Sequence, residues 1–185
     1  VQTDEPWQND AVITAGRGTL LLSSYLNPDK FNDGDWEFYA RLMDWFKQNE
    51  TILAQTKFIL GNPEKRELYG YSHFQHDEGL IFLRNPFIRE QEAELCLDET
   101  CGFTVDTDAK FFVRIEYPYK MYLTQPIRKG EKFRLALRAY ETMVVRIFPT
   151  TRITTPVVCG VRYAVVDPAR VEVYGLPGTK QKIKI

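Results

Sequence analysis

Residues 68–87, LYGYSHFQHDEGLIFLRNPF, mark the point where the pattern of the chain changes. They contain an aromatic stretch, a polar turn that ends at Gly79, an apolar run at 80–83 and a stop at Asn85 and Pro86. Before this segment apolar residues recur at helical spacing, and after it apolar and polar residues alternate. The segment therefore predicts two strands joined by a turn, at the boundary between two architectures.

The chain after residue 63 has the period of two that is typical of β-strands. Its alternating apolar positions are Phe111-Val113-Ile115-Tyr117, Phe133-Leu135-Leu137, Met143-Val145-Ile147, Val161-Tyr163-Val165, Val171-Val173 and Ile183-Ile185. About eight or nine short strands, separated by turn residues at intervals of roughly 8–12 residues, are typical of an antiparallel β-sandwich. We therefore predict a mainly β protein, with a sandwich domain at 63–185.

The chain before residue 63 is predicted to form a short helical lead-in, residues 1–62. Its clearest helix follows the turn at 31–35, and Asp33 or Asp35 is the expected N-terminal cap. One face of this helix carries the apolar residues Trp36, Tyr39, Ala40, Met43 and Phe46. A second helix is predicted at about 50–60, where Gly61-Asn62-Pro63 ends it.

Two further segments complete the predicted lead-in. Residues 1–12 show no periodicity and are expected to be irregular. Residues 19–26 form an apolar run bounded by Gly18 and Pro28, which predicts a strand buried on both faces, with a short helix as the alternative.

The composition argues against some classes of partner. The chain has 185 residues, of which 44% are hydrophobic and 26% are charged, as expected for a globular protein. Its formal net charge of −1 argues against nucleic-acid binding, which needs a basic patch or stripe. No apolar run approaches the ~20 residues of a membrane helix, and the polar, acidic start of the chain shows no signal peptide. We expect neither nucleic acid nor a membrane as a partner.

The three cysteines leave two interpretations open. Cys96 and Cys101 flank a turn at 97–100, so they could form a short hairpin disulfide. The interpretation that we favour is three free, mostly buried thiols, because an unpaired cysteine behaves as a small apolar residue.

A series of short motifs resembles the C-terminal end of an enzyme family. In order, the motifs are Arg17-Gly18-Thr19, Tyr25-Leu26-Asn27-Pro28, Asp35-Trp36, Asp44-Trp45, Asn49, Ile52-Leu53, Gly61-Asn62-Pro63, Tyr69-Gly70-Tyr71 and Leu83-Arg84-Asn85-Pro86. They resemble bacterial glycoside hydrolases of the α-galactosidase-like (β/α)8-barrel type, most closely over residues 16–87. The resemblance implies that the last strand and helix of a barrel run into a C-terminal antiparallel β-sandwich. It also implies a secreted or periplasmic parent enzyme of carbohydrate metabolism that cleaves glycosides.

The length of the chain limits what this resemblance implies. A complete barrel needs about 250 residues, whereas only about 60 precede the predicted sandwich. Glycoside hydrolysis generally needs two opposed carboxylates, and in such barrels they lie at the ends of several strands. The chain therefore holds at most the final strand and helix of a barrel, and we predict no catalytic residue and no cofactor.

Two polar groups near the N-terminus have structural explanations. Ser23, Ser24 and Tyr25 end the predicted strand at 19–26 and are interpreted as ordinary strand and loop residues. The carboxylates Asp33, Asp35 and Glu37 lie at the start of the predicted helix, where the helix dipole and the unpaired N–H groups favour negative charge.

The two histidines form a second candidate for chemistry. His73 and His76 lie three residues apart, next to Asp77 and Glu78, and such residues can bind a metal. In an extended strand, however, residues three apart point to opposite faces. We therefore predict no metal site.

Exposed aromatic rings are the usual surface on which sugars stack. The residues that could do so are Trp7, Tyr69, Tyr71, Tyr117, Tyr119 and Tyr122. A sandwich of this size needs most of its large rings for packing. We keep Trp7, Tyr69 and Tyr71 as the predicted carbohydrate-binding residues.

Trp36, Trp45 and Arg84 are predicted to lie at a domain junction. The two tryptophans are about two and a half helical turns apart, so they point to roughly opposite sides of the helix. A helix with two apolar sides needs two partners, the sandwich and a barrel. Without the barrel, the second side predicts an apolar patch or a homodimer that covers it. Arg84 is expected to pair with a carboxylate or with carbonyl groups.

The sequence thus favours a non-catalytic C-terminal β-sandwich module that packs on the catalytic barrel of the same protein and stabilises it. Two alternatives stay open. One is a stand-alone carbohydrate-binding module that uses exposed Tyr or Trp on an oligo- or polysaccharide. The other is a structural or adhesive sandwich that binds protein partners.

Overall fold

Helices form the N-terminal part of the chain. The computed structural model describes residues 6–18, 27–155, 157–167 and 170–175. Helix α1 is Pro6–Ala15, helix α2 is Asp33–Gln48 and the short helix α3 is Glu50–Leu53. Within the described ranges, no helix is long and apolar enough to cross a membrane.

The strands of the described chain form antiparallel sheets. They are β1 Lys57–Leu60, β2 Tyr69–Gln75, β3 Glu78–Arg84, β4 Gln91–Cys96, β5 Phe111–Tyr117, β6 Met121–Tyr122, β7 Lys132–Leu137, β8 Thr142–Pro149, β9 Arg162–Asp167 and β10 Arg170–Tyr174. Six of them form one open sheet in the order β1-β2-β3-β8-β5-β6. The strands β4 and β7 pair separately, and so do β9 and β10. The predicted mainly β fold, with antiparallel sheets after a short helical lead-in, is confirmed.

One face of the six-stranded sheet packs against β4 and β7. Ile81, Val113 and Val145 point into this interface and are buried together with Leu95 and Phe133 of the second sheet. These residues belong to the alternating segments of the sequence, because every second side chain of a strand faces the same side. This interface is the core of the sandwich.

The opposite face of the same sheet is covered by the helices. Leu80, Phe82 and Val144 are buried there in one cluster with Val12 of α1 and Leu42 of α2. Because both faces of β3 are covered, its sequence is a continuous apolar run instead of an alternation.

The approach of α1 to the sheet depends on a residue without a side chain. Gly16 follows α1, and a Cβ at this position would lie 2.3 Å from a ring atom of Phe82. Any larger residue would therefore push the end of α1 away from the sheet.

Two predictions for the backbone of the lead-in are wrong. Helix α1 spans residues 6–15, and its residues 6–12 belong to the segment 1–12 that is expected to be irregular. The helix predicted at 50–60 ends at Leu53, and β1 follows it. In β1, Phe58 pairs with Tyr71 of β2. Pairing with a neighbouring strand outweighs the local helical spacing, as is common for short segments.

The cap of α2 also differs from the prediction. Asn32, not Asp33 or Asp35, is the N-cap, and its Oδ1 accepts a hydrogen bond from the N–H of Asp35 at 3.1 Å. Asp35 Oδ2 in turn accepts from the N–H of Asn32 at 3.0 Å. The two side chains form a reciprocal capping box, so Asp35 supports the cap from the third helical position.

The buried face of α2 is rotated relative to the prediction. Met43 and Phe46 pack against the helix-side cluster as expected, but Trp36 and Ala40 are exposed. Leu42 is the apolar side chain of α2 that is buried. The face that contacts the sheet therefore runs through Phe38, Leu42 and Trp45.

Some predictions cannot be compared with the described chain. The strand predicted at 19–26, with Ser23, Ser24 and Tyr25, lies outside the described residues, and so does Ile183-Ile185.

The first strand of the sheet, β1, begins at Lys57, before the predicted boundary at residue 62. The division into domains at 1–62 and 63–185 stays a prediction.

Candidate functional site

A partly buried group of charges joins α2 to the six-stranded sheet. Glu116 of β5 accepts a hydrogen bond from Nε1 of Trp45 at 3.2 Å. The same side chain accepts from Nε of Arg146 at 2.7 Å and from Nη2 of Arg114 at 2.5 Å. Arg114 and Arg146 are direct neighbours across β5 and β8. The carboxylate therefore lies where it can neutralise two adjacent positive charges.

Arg146 extends this group in two directions. Its Nη2 donates to Oδ1 of Asn49, the residue that ends α2, at 2.5 Å. Its Nη1 donates to Oε1 of Glu78 at 2.5 Å, and Glu78 also pairs with Arg152. We call these residues, with Arg114, Glu116 and Trp45, the Glu116 network. It connects the end of α2, the start of β3 and the segment after β8.

The electrostatics of Glu116 indicate a structural role. Burial raises the pKa of the Glu116 carboxyl, but the charges and hydrogen bonds of Arg146 and Arg114 outweigh burial and hold the pKa below its ordinary value. A general acid needs a raised pKa, and a general base or nucleophile needs a carboxylate that is free to react. Glu116 stays ionised and engaged, so it stabilises the helix–sheet interface.

Next to the network, a cleft of about 410 Å³ opens between α2 and the sheet. We call it the helix–sheet cleft. Its walls are mainly apolar, with the side chains of Val12, Phe38, Leu42, Trp45, Phe82, Tyr117 and Val144. Its polar lining consists of Arg41, Arg114, Glu116 and Lys120. The volume is within the range of small-molecule sites, roughly 300–1,000 Å³.

A second candidate site lies at the β1 edge of the sheet. Phe58 is 50% exposed and stacks with Tyr69 at a centroid distance of 6.1 Å. Tyr71 contacts both rings edge-on, at 5.7 Å from Phe58 and 6.1 Å from Tyr69. Leu60, which pairs with Tyr69, is also exposed. We call these four residues the edge aromatic cluster.

Polar groups border the edge aromatic cluster. Arg84, which pairs with Tyr69 across β3 and β2, donates from Nη2 to Oδ1 of Asp10 at 3.0 Å. Burial raises the pKa of Tyr69, and the neighbouring Tyr71 adds to the rise. The cluster thus combines apolar ring surface with phenolic hydroxyl groups and a nearby ion pair.

The structure separates the three residues predicted to bind carbohydrate. Tyr69 and Tyr71 lie together in the edge aromatic cluster. Trp7 packs instead on Phe31 at 4.7 Å and on Phe38 at 5.5 Å, close to the start of α2. The carbohydrate-binding role of all three stays a prediction.

The residues predicted for a domain junction have three different environments. Trp45 points inward, contacts Phe82 at 5.9 Å and belongs to the Glu116 network. Trp36 is 42% exposed and contacts Phe31 at 5.0 Å. Arg84 binds Asp10 of α1 and the carbonyl oxygen of Tyr140. Arg84 therefore fastens α1 to the sheet.

The histidines lie in different environments. His73 is buried, with Nε2 2.7 Å from the carbonyl oxygen of Gly16 and Nδ1 3.1 Å from that of Gln55. His76 is exposed in the turn between β2 and β3, with a φ of 54°. Among the described residues, no group of three or more His, Cys, Asp or Glu side chains could hold a metal ion.

All three cysteines are free thiols in the structure. The Sγ of Cys96 donates to the carbonyl oxygen of Gly130 at 3.3 Å. Burial raises the pKa of Cys96 to about 11, so its thiol is protonated at neutral pH. The structure therefore contains free thiols at Cys96 and Cys101 and not the hairpin disulfide.

Sequence reasoning missed several residues of both sites. Phe58 was assigned to the predicted helix at 50–60, although residues 57–60 also fit a strand in which Phe58 and Leu60 share a face. Glu116 and Arg146 lie at positions that alternate with apolar residues and therefore looked like solvated side chains. Charged residues on a face that a helix covers are visible as a site only after the helix has been placed.

Comparisons with known proteins show what the fold resembles. No protein-family model matches the chain. No curated protein matches it significantly either. Solved structures with a similar fold include a candidate α-N-acetylgalactosaminidase of Bacillus halodurans, with a TM-score of 0.50 and 15% identity, covering 78% of this chain and 31% of that one. α-Galactosidase I of Mortierella vinacea has a TM-score of 0.53 and 13% identity, covering 78% of this chain and 36% of that one.

These matches define the fold shared by the chain and the enzymes. The chain spans about a third of the length of the solved structures that it matches. At this identity the likeness concerns the arrangement of the backbone, because one fold carries many activities. The likeness therefore shows a shared fold and leaves the activity open.

Proposed function

We propose that the chain is a non-catalytic C-terminal module of a carbohydrate-degrading glycoside hydrolase, and that it packs on the catalytic barrel and stabilises it. The names of the two similar structures supply the class of the parent enzyme. The chain matches only about a third of each, which leaves room for a separate catalytic unit in the parent protein.

One observation carries the packing role. Helix α2 is held to the sheet on one side by the Glu116 network, while Trp36 is 42% exposed on the other side. Trp36 and Trp45 are about two and a half turns apart, so they point in opposite directions from the helix axis. A helix held firmly on one side fixes the position of Trp36 on the other, and the exposed part of this ring is the proposed contact with the barrel.

The charge pattern of the helix–sheet cleft supports a non-catalytic role. Among the described residues that line the cleft, Glu116 alone has a carboxylate. Two arginines and a tryptophan already donate hydrogen bonds to this carboxylate. Glycosidases generally use two carboxyl groups that flank the scissile bond. The cleft does not supply such a pair.

The packing role is tested in the full-length protein with Trp36→Gln. We expect the temperature at which glycosidase activity is lost to fall by several degrees, since the barrel loses an apolar contact. Lys47→Gln, an exposed change in the last turn of α2, is the matched control. Equal heat resistance of the Trp36 variant and the parent would contradict the proposal. Hydrolysis of aryl glycosides by this chain alone would contradict the proposal that the module is non-catalytic.

The edge aromatic cluster supports a second candidate function, direct binding of a carbohydrate chain. Pyranose rings have C–H faces that pack on aromatic rings and hydroxyl groups that need polar partners. Phe58, Tyr69 and Tyr71 offer ring surface, and the tyrosine hydroxyls and Arg84 are the polar groups beside it.

Affinity electrophoresis on a panel of polysaccharides tests this second candidate. We expect retardation of the chain that is lost in Phe58→Ala and Tyr71→Ala but kept in Tyr174→Ala. Tyr174 is similarly exposed, at 53%, but lies on β10 away from β1 and β2. Unretarded migration on every polysaccharide would exclude the candidate, and so would an equal loss in the Tyr174 variant.

A further inference from the structure

The helix–sheet cleft combines an apolar body with a positively charged rim. Phe38 and Trp45 of α2 face Phe82 and Val144 of the sheet across it, so an apolar group of moderate size finds walls on two sides. Its polar lining holds three cations and a single carboxylate. The carboxylate, Glu116, is already engaged by Arg114 and Arg146.

The two exposed cations of the rim have capacity for a ligand. In the described part of the chain, Lys120 takes part in none of the ion pairs. Arg41 contacts Glu37 at 3.4 Å, and both side chains are about 70% exposed, at 68% and 71%. An exposed pair of this kind contributes little free energy, so Arg41 can exchange Glu37 for another anion at small cost.

Arg114 is the third cation of the cleft lining. Its Nη1 and Nη2 are used by Tyr122 and Glu116. Its Nε is buried and has no hydrogen-bond partner within the described residues. Arg114 therefore adds positive charge to the lining, whereas the exposed Lys120 and Arg41 are the cations that an anion in the cleft can contact directly.

We propose that the helix–sheet cleft binds a small organic anion, a carboxylate attached to an apolar body. The apolar body lies between α2 and the sheet, and the carboxylate faces Lys120 and Arg41, with the charge of Arg114 behind them. This proposal does not depend on the function proposed for the whole chain.

Other ligand classes fit the cleft less well. A cation would face three positive side chains and only the engaged Glu116. A fully polar ligand would leave the aromatic walls without a partner and would lose its hydration. An amphipathic anion matches both parts, because its charge meets donors while its body removes apolar surface from water.

Isothermal titration calorimetry with 4-phenylbutyrate and with the neutral 4-phenylbutanol tests the proposal. The two probes share an apolar body and differ in the charged group. We expect the acid to bind about tenfold more tightly than the alcohol, the ratio that corresponds to about 1.4 kcal/mol. Lys120→Gln combined with Arg41→Gln is expected to remove this tenfold preference and to leave binding of the alcohol unchanged.

Two controls make the test selective. Lys47→Gln removes a positive charge from the same helix outside the cleft and should leave both affinities unchanged. Thermal melting of each variant, with an unchanged midpoint, confirms that the fold is intact. The Nε–Hε signal of Arg114 in ¹⁵N spectra should shift on addition of the acid.

Several results would overturn the proposal. Equal affinities for acid and alcohol would mean that the cleft selects only an apolar group. If the Lys47 variant also lost the preference for the acid over the alcohol, general electrostatic attraction would be what brings the acid to the protein. Absence of acid binding up to its solubility limit, or an unmoved Arg114 signal at saturation, would exclude the cleft as the site.

Discussion

His73 is a titratable residue of β2, and the helical lead-in covers its side chain. Burial lowers the pKa of His73, although hydrogen bonds to the backbone at Gly16 and Gln55 oppose this effect. In the unfolded chain its pKa returns to the ordinary value of about 6.5. Below this pH the unfolded state binds a proton that the folded state does not, so stability falls as the pH decreases.

Urea unfolding from about pH 7.5 to about pH 5.5, on either side of the ordinary histidine pKa, measures this effect. We expect the free energy of unfolding of the native chain to decrease over this range and that of His73→Gln to change less. His76→Gln, in the exposed turn, is the control and should keep the slope of the native chain. A slope that disappears in the His76 variant would contradict the assignment to His73.

Glu116 is the second residue whose contribution to the free energy of unfolding can be measured. Glu116→Gln would leave Arg114 and Arg146 partly buried side by side without the charge between them. Breaking a fully buried ion pair on one side costs about 3 kcal/mol or more, and because these side chains are only partly buried we expect a smaller loss, on the order of 2 kcal/mol. Urea unfolding at neutral pH should show a loss of about this size.

Glu94→Gln is the matched control for the Glu116 change. Glu94 also contacts two cations, Lys132 and Arg134, but at the solvent-exposed surface of β4 and β7. Exposed ion pairs contribute little, so this variant should unfold almost like the native chain. Equal losses in both variants would contradict the structural importance of the Glu116 network.

At the scale of elements, the start of α2 separates two interpretations of the sequence. The acidic residues after Phe31 suggested that Asp33 or Asp35 caps the helix, whereas the cap is Asn32. Asn32→Ala should lower the free energy of unfolding by about 1 kcal/mol, because the N–H of Asp35 loses its acceptor. Asp33→Asn should change it by only a few tenths of a kcal/mol, since Asp33 interacts mainly with the helix dipole. Thermal unfolding of the two variants measures the difference, and a larger loss in the Asp33 variant would contradict the assignment.

The strands differ in how well their sequences predicted them. Apolar residues recur at every second position in the segments of β5, β7 and β8, and this pattern predicts a strand at each of the three. Strand β1 was missed because residues 57–60 gain their stability from pairing with β2, which the local pattern does not contain. A short edge strand is defined by its neighbour, so its prediction from local sequence fails for a physical reason.

At the scale of the whole molecule, the lead-in covers one face of the six-stranded sheet. Removal of residues 1–56 would expose Leu80, Phe82 and Val144 to water. We expect the shortened chain to self-associate and to bind an apolar dye such as 1-anilinonaphthalene-8-sulfonate, because soluble monomers rarely expose large apolar patches. Size-exclusion chromatography and dye fluorescence measure both effects.

A companion variant makes this prediction specific. In the same shortened chain, replacement of Leu80, Phe82 and Val144 by threonine should restore the monomer, since threonine suits strands and is polar. If the shortened chain is monomeric without these changes, the sandwich does not need the helices to cover it. That result would favour independent domains at 1–62 and 63–185.

The amino-acid sequence by itself determined the mainly β class, the positions of most strands, the helix that became α2 and the opposite orientations of Trp36 and Trp45. These features depend on periodicity within one segment, which each segment carries in its own residues. Only the tertiary structure decided which face of the sheet the helices cover, that Phe58 joins Tyr69 and Tyr71, and that Trp45 meets Glu116. Such contacts join residues far apart in the chain, and the free energy of burial that selects them arises only when the elements pack together.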